Sequence, residues 1–280
     1  MSVENDISGG VCGSDAQDQS APLKPLIRLR GIINQFGTQR VHDDLDLDIL
    51  KGEILGLVGG SGTGKSVLFR TILGLNRPFA GQVLFGDEQR DILSLNDHEL
   101  YEIKANWGVL FQNGALFSSQ SVMGNVMLPM REHLDISEST MKELAELKIQ
   151  LVGLPAEAGT KYPSELSGGM VKRAALARSM ALDPPVLFLD EPTAGLDPIS
   201  AAAFDDLIKH LQGALDLTVV IITHDLDTLV GICDRIAVLL DKKVTVGTLE
   251  EIMEIDHPWV QDYFHGPRMR AAQTTKTMRE

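Results

Sequence analysis

One octapeptide constrains this chain more than any other feature: GGSGTGKS, Gly59 to Ser66, which follows the apolar run EILGLV and opens the run SVLFRTILGL. It fits the pattern G-x-x-x-x-G-K-[ST] in the order that pattern needs, strand, glycine-rich loop, helix. Gly59, Gly60, Gly62 and Gly64, with Ser61 and Thr63 between them, let successive backbone N–H groups converge on phosphate oxygens, and the helix start adds a field that favours anions. Lys65 reaches the β- and γ-phosphates of a nucleotide, and Ser66 offers its hydroxyl oxygen to Mg²⁺.

The surrounding runs agree with a phosphate loop set in a parallel sheet. EILGLV, WGVLF, VLFLD, TVVIIT and RIAVLL are continuously apolar, and helical patterns separate several of them, as expected for strands covered on both faces. LIRLRGI and LDLDI differ: Leu45, Leu47 and Ile49 alternate with aspartates, which predicts a half-buried antiparallel strand. Between Gly114 and Glu165 the pattern becomes mostly helical, with Met141, Leu144, Leu147 and Leu151 spaced by three and four residues. The fold class expected is α/β, a mostly parallel core sheet with an antiparallel β subdomain and an inserted helical subdomain.

Two strand ends carry chemistry. VLFLDEP finishes a buried run with Asp190 and Glu191, at the edge where open parallel sheets bind ligands. Adjacent residues there point in different directions, so Asp190 is expected beside the metal and Glu191 as general base toward water. TVVIITHD ends on His224, placed for a γ-phosphate, and Gln112 follows WGVLF with an amide oxygen for Mg²⁺ or the attacking water. Phe36, in NQFGTQ, offers either a flat face for an adenine or an ordinary core aromatic.

The segment SELSGGMVKRAALARSM supplies a second anion site. Ser167 stands at a helix N-cap, and Gly168 and Gly169 leave the first-turn amides uncovered. No catalytic residue type accompanies it.

The net charge of −14, from 39 acidic and 25 basic side chains, argues against a surface that covers nucleic-acid phosphates, so no nucleic-acid partner is expected. Cys12 and Cys233 lie in dissimilar surroundings and predict no disulfide framework. No apolar run approaches a membrane span, which places the chain in the cytosol with any membrane role left to partners. Residues 1–24 are small and polar and are read as a disordered tail.

The phosphate loop, FQ, LSGGM, LDEP, GLDP and THD, in this order and spacing, resemble the ATP-binding subunit of ABC transporters over about residues 26 to 250. The resemblance implies a P-loop NTPase of ABC type that binds ATP and Mg²⁺, with an ATPase domain over 25–250, a helical subdomain over about 114–183, and a C-terminal helix and tail over 251–280. It further implies a head-to-tail homodimer in which Ser167 and Gly169 complete the site on the other copy, Asp197 links the two sites, and Phe36 stacks the adenine. The stretches LFQNGALFSSQSVMGNVMLPMREH and PSELSGGMVKRAALARSMALDP resemble, more narrowly, the ATPases of Mla-type phospholipid transport systems. That likeness implies an integral membrane permease, a periplasmic MCE substrate-binding protein and a small STAS-domain protein as partners, and a peripheral place on the cytoplasmic side of the bacterial inner membrane. HPWVQDYFHG resembles the family's tail, either holding a neighbouring subunit or capping the core. Val67 departs from the threonine that many relatives carry there. Two other readings stand at this point: another ABC importer, exporter or soluble ABC-type ATPase acting on nucleic acid or ribosomes, and a nucleotide-binding module without catalysis.

Overall fold

The computed structural model describes residues 24–266. The expected N-terminal tail, Cys12 included, therefore lies outside the described residues apart from Lys24, as does the C-terminal tail beyond Gly266. The chain opens with β1 (Pro25–Phe36), β2 (Gln39–Leu50), β3 (Ile54–Gly59), α1 (Lys65–Ile72), β4 (Ala80–Phe85), β5 (Arg90–Asp91), α2 (Asp97–Lys104) and β6 (Trp107–Leu110). Three helices follow, α3 (Val122–His133), α4 (Glu138–Leu151) and α5 (Gly168–Ser179). The remainder is β7 (Val186–Asp190), α6 (Pro198–Leu215), β8 (Thr218–Ile222), α7 (Leu226–Ile232), β9 (Arg235–Leu240), β10 (Lys243–Gly247), α8 (Leu249–Met253) and α9 (Pro258–Phe264).

The continuously apolar runs become neighbours in one six-stranded sheet of order β10-β9-β3-β8-β7-β6. Pairing is parallel from β9 through β6, and β10 returns antiparallel along β9. Every residue of β8 is buried, as are all but the last of β3 and of β7, because helices and the second sheet cover both faces. Parallel pairing has a direct consequence for the site. The C-terminal ends of β3, β8, β7 and β6, which carry four separate motifs, stand side by side along one edge, three strand spacings or about 14 Å across.

The second sheet is antiparallel, of order β2-β1-β4-β5. In β2 the alternation read from the sequence is real: Leu45, Leu47 and Ile49 are buried, and the residues between them are not. β4, β5 and β10 carried no sequence signal, being short or of mixed pattern. A backbone bond from Asp43 to the Lys242 carbonyl, 3.0 Å, joins the two sheets.

Helices α3, α4 and α5 pack on one another and share a core with the β6 side of the large sheet, through Val126, Met130, Ala145, Leu176, Leu187 and Leu189. The helical reading of α4 was right, but its buried line is Met141, Ala145, Lys148 and Ile149. Leu147 is 59% exposed and Leu151 40%. The leucine spacing marks one flank of the helix rather than the middle of its packed face, since 100° per residue sets Leu147 well round from Met141.

Candidate active site

The loop after β3 is shaped by close approach as much as by flexibility. Gly64, the N-cap of α1, has φ 100°, and a Cβ there would fall 2.3 Å from Val41 Cγ1 and 2.7 Å from His42 Nε2. Glycine is therefore required twice over, by backbone conformation and by the β2 side chains beneath it. Among the described residues no side chain caps α1, so its first-turn amides stay uncovered at the end of the loop. Lys65 Nζ donates to the carbonyls of Gly59 at 2.7 Å and Gly60 at 3.0 Å, which folds the loop around its own ammonium group. Burial lowers the Lys65 pKa, and the Glu191 charge opposes that shift. Thr63 closes the turn through its hydroxyl, 2.9 Å from the Gly60 carbonyl. Ser61, Gly62 and Ser66 are exposed on the loop and helix start.

Beside this loop, β8 and β7 deliver His224 and the two carboxylates. The imidazole Nδ1 of His224 lies 2.9 Å from Oε1 and 2.8 Å from Oε2 of Glu191; facing a carboxylate, it is the donor. Nε2 is then the nitrogen left for a ligand. Glu191 holds a left-handed backbone, φ 48°, a costly conformation for a non-glycine residue. Its N–H donates to the Ile222 carbonyl at 2.9 Å, and its carbonyl accepts from Lys172 Nζ at 3.1 Å, which fixes the turn. Asp190, at the end of β7, has its pKa raised by burial and by the neighbouring Glu191 charge, with Arg70 and Lys172 pulling the other way. A bound cation would relieve that raised carboxyl.

Gln112 follows β6 on the same edge, its side chain exposed and its carbonyl accepting from Lys172 Nζ. Lys172, 6% exposed, thus ties the turns of Gln112 and Glu191 to α5. Sequence reading missed it, and no local signal marks it, since a lysine inside a helix ordinarily faces water. Asn125 was missed as well. Fully buried, it holds the segment after Gln112 by accepting from Phe117 N–H and donating to the carbonyls of Phe117, Gln120 and Ser121.

Not every expected residue comes to this edge. Ser167 caps α5, accepting from Met170 N–H at 3.4 Å, and Gly169 has open space where a Cβ would project. Among the described residues no hydrogen bond joins Ser167, Gly168 or Gly169 to the phosphate loop. Asp197 caps α6, accepting from the Ile199 and Ser200 amides and from the Ser200 hydroxyl at 2.6 Å, which holds its carboxyl below the usual range. Phe36 is 53% exposed at the end of β1 and so is not the core aromatic of the alternative reading.

Among the described residues, no cluster of three or more His, Cys, Asp or Glu side chains could hold a metal. The oxygen donors of Ser66, Gln112 and Asp190 nevertheless suit a hard divalent cation such as Mg²⁺, one that keeps most of its ligands as water and phosphate.

A glycine cradle on one strand, with carboxylates and a histidine ending its neighbours in a parallel sheet, defines a P-loop nucleoside triphosphatase. The added antiparallel sheet and helical arm narrow the class further. The chain belongs to the ABC transporter family, whose family model matches residues 42–194. It is 39% identical to the intermembrane phospholipid transport system ATP-binding protein MlaF of Haemophilus influenzae, over 86% of this chain and 90% of that protein. It is 39% identical to the probable ribonucleotide transport ATP-binding protein mkl of Mycobacterium leprae, over 90% of this chain and 72% of that one. Among solved structures, a dimeric ATP-binding cassette in a post-hydrolysis state, bound to ADP and Pi, superposes with a TM-score of 0.72 at 28% identity, over 79% of this chain and 98% of that one. The chain is an ATP-binding, ATP-hydrolysing cassette subunit.

Proposed function

We propose that this chain powers phospholipid transport between the inner and outer membranes, as a head-to-tail homodimer bound to an integral permease on the cytoplasmic side of the inner membrane. The match with MlaF extends over nearly the whole of that protein, whereas over a quarter of mkl lies outside the aligned region. That favours phospholipid over ribonucleotide as cargo. A periplasmic MCE protein and a STAS-domain protein complete the proposed assembly, around an ATPase domain over 25–250.

The observation that carries the catalytic reading is the Glu191–His224 pair at adjoining strand ends beside the phosphate loop. Gly59 to Ser66 wrap the phosphates, Lys65 neutralises their charge, and Phe36 offers its exposed face to the adenine. Ser66, Gln112 and Asp190 would hold Mg²⁺, which would supply charge stabilisation at the phosphates. Glu191 accepts a proton from the attacking water, and His224 holds the γ-phosphate while orienting that carboxylate. Little covalent chemistry falls to the protein; positioning and charge stabilisation carry the rate. Ser167 and Gly169 act on the partner copy's γ-phosphate, so neither protomer owns a finished site, and Asp197 links the two sites.

The permease docks over the NGALF segment, Asn113 to Phe117, and over LPMREH, Leu128 to His133, beside a groove lined by Lys104, Trp107, Pro129, His133, Arg178 and Leu182. The groove joins the end of the LPMREH segment to β6, and Tyr101 stacks on His133, one of its lining residues, at 4.5 Å.

Glu191→Gln tests the reading, because it keeps the shape and removes the base. Phosphate release should fall by about 100-fold or more while ATP binding persists. Hydrolysis at the wild-type rate would overturn it.

A further inference from the structure

The C-terminal helix α9 touches the site from a direction that none of the motifs covers. Val260 and Phe264, both fully buried, seat it on a small core with Val58, the residue before Gly59, and with Leu229 and Val230 of α7. Its other two aromatic side chains reach past that core. The pyrrole edge of Trp259 lies over Gly60, with Nε1 3.2 Å from where a Cβ would stand. Tyr263, one helical turn on, stacks against Trp259 at 4.6 Å and 15°. Its hydroxyl donates to the backbone carbonyl of His224 at 2.8 Å.

His224 needs such support. It sits in the short link between β8 and α7, and its side chain is 75% exposed with Glu191 as its partner. Within that link, Thr223 Oγ1 accepts from Asp225 N–H, and the Asp225 carboxylate caps α7. Neither bond reaches His224 itself, whereas the Tyr263 hydroxyl does. Burial and the charges of Asp225 and Glu191 keep the Tyr263 hydroxyl protonated, so it remains a donor.

We propose that Tyr263 and Trp259 are positioning residues for hydrolysis. They form an aromatic bracket that clamps the phosphate loop at Gly60 and the His224 carbonyl to one rigid element, and so set how His224 meets Glu191. This rests on the roles given above to Glu191 and His224. The division of labour follows from the contacts: Tyr263 acts on His224 and hence on the chemical step, and Trp259 acts on the phosphate loop and hence on nucleotide binding.

Steady-state hydrolysis by the full-length chain with MgATP separates the two. Tyr263→Phe keeps the ring and its stack and loses one hydrogen bond; kcat should fall about tenfold, with KM for ATP within about twofold and the melting temperature unchanged. Trp259→Ala should raise KM by more than it lowers kcat, and Trp259→Phe should recover most of that loss. If both Tyr263→Phe and Trp259→Ala lower kcat and raise KM in step with a drop in melting temperature, α9 merely caps the core and the proposal fails. A wild-type kcat in Tyr263→Phe beside an inactive Glu191→Gln overturns the proposal alone. A wild-type rate in Glu191→Gln removes the reading of the site and the proposal with it.

Discussion

His42 shows how much a single buried side chain can reveal about the site. It lies fully buried on β2, under Gly64, with Nδ1 3.0 Å from Asn34 Nδ2. Asn34 Oδ1 accepts from Thr71 and Asn76, so its amide nitrogen faces the ring, Nδ1 accepts, and neutral His42 carries its proton on Nε2. Burial lowers its pKa to about 4. The unfolded chain binds that proton first, near pH 6.5, so the stability His42 confers is complete above that pH and is lost as pH falls toward 4. The loss should approach about 3 kcal/mol. Denaturant melts from pH 7 to 4 should show it in the wild type and a flatter acid limb in His42→Gln. Glu191 makes a second residue-scale point: DEP in the sequence announces two carboxylates, but not the left-handed backbone that Glu191 adopts.

Lys172 matters at the scale of elements, because it is the buried cation that binds α5 to the ends of β6 and β7. Lys172→Met keeps most of the stem and leaves the Gln112 and Glu191 carbonyls without their donor. Loss of two charge-assisted bonds should cost about 2–4 kcal/mol in urea melts, with turnover falling further because both turns lose their anchor. The parallel strands were legible in the sequence since they are apolar throughout. The helix face of α4 was not, because its buried line includes Lys148, whose ammonium pairs with Asp183, and passes beside the leucines. The i, i+4 pair Trp259 and Tyr263 was visible on a short expected helix, yet nothing local says that its far end reaches His224.

At the scale of the whole molecule, Ser167 and Gly169 are presented on α5 without a bond to the phosphate loop of their own chain. Two inactive variants should therefore complement each other: Glu191→Gln spoils the site on its own loop, and Ser167→Arg the site on its partner's. A mixed dimer retains one intact site, so an equal mixture should recover roughly a quarter of wild-type phosphate release by random pairing of twofold subunits. No recovery would mean that each chain completes its own site. The sequence by itself determined the phosphate loop, the parallel strands and the strand-end residues, because backbone geometry and burial on both faces write short-range patterns into the chain. Only the tertiary structure decided that Gln112, Glu191 and His224 line one edge with Lys65, that Lys172 ties two of their turns, and that α9 braces a third. Those contacts join residues far apart in the chain, and strand order and helix docking, rather than any local spacing, bring them together.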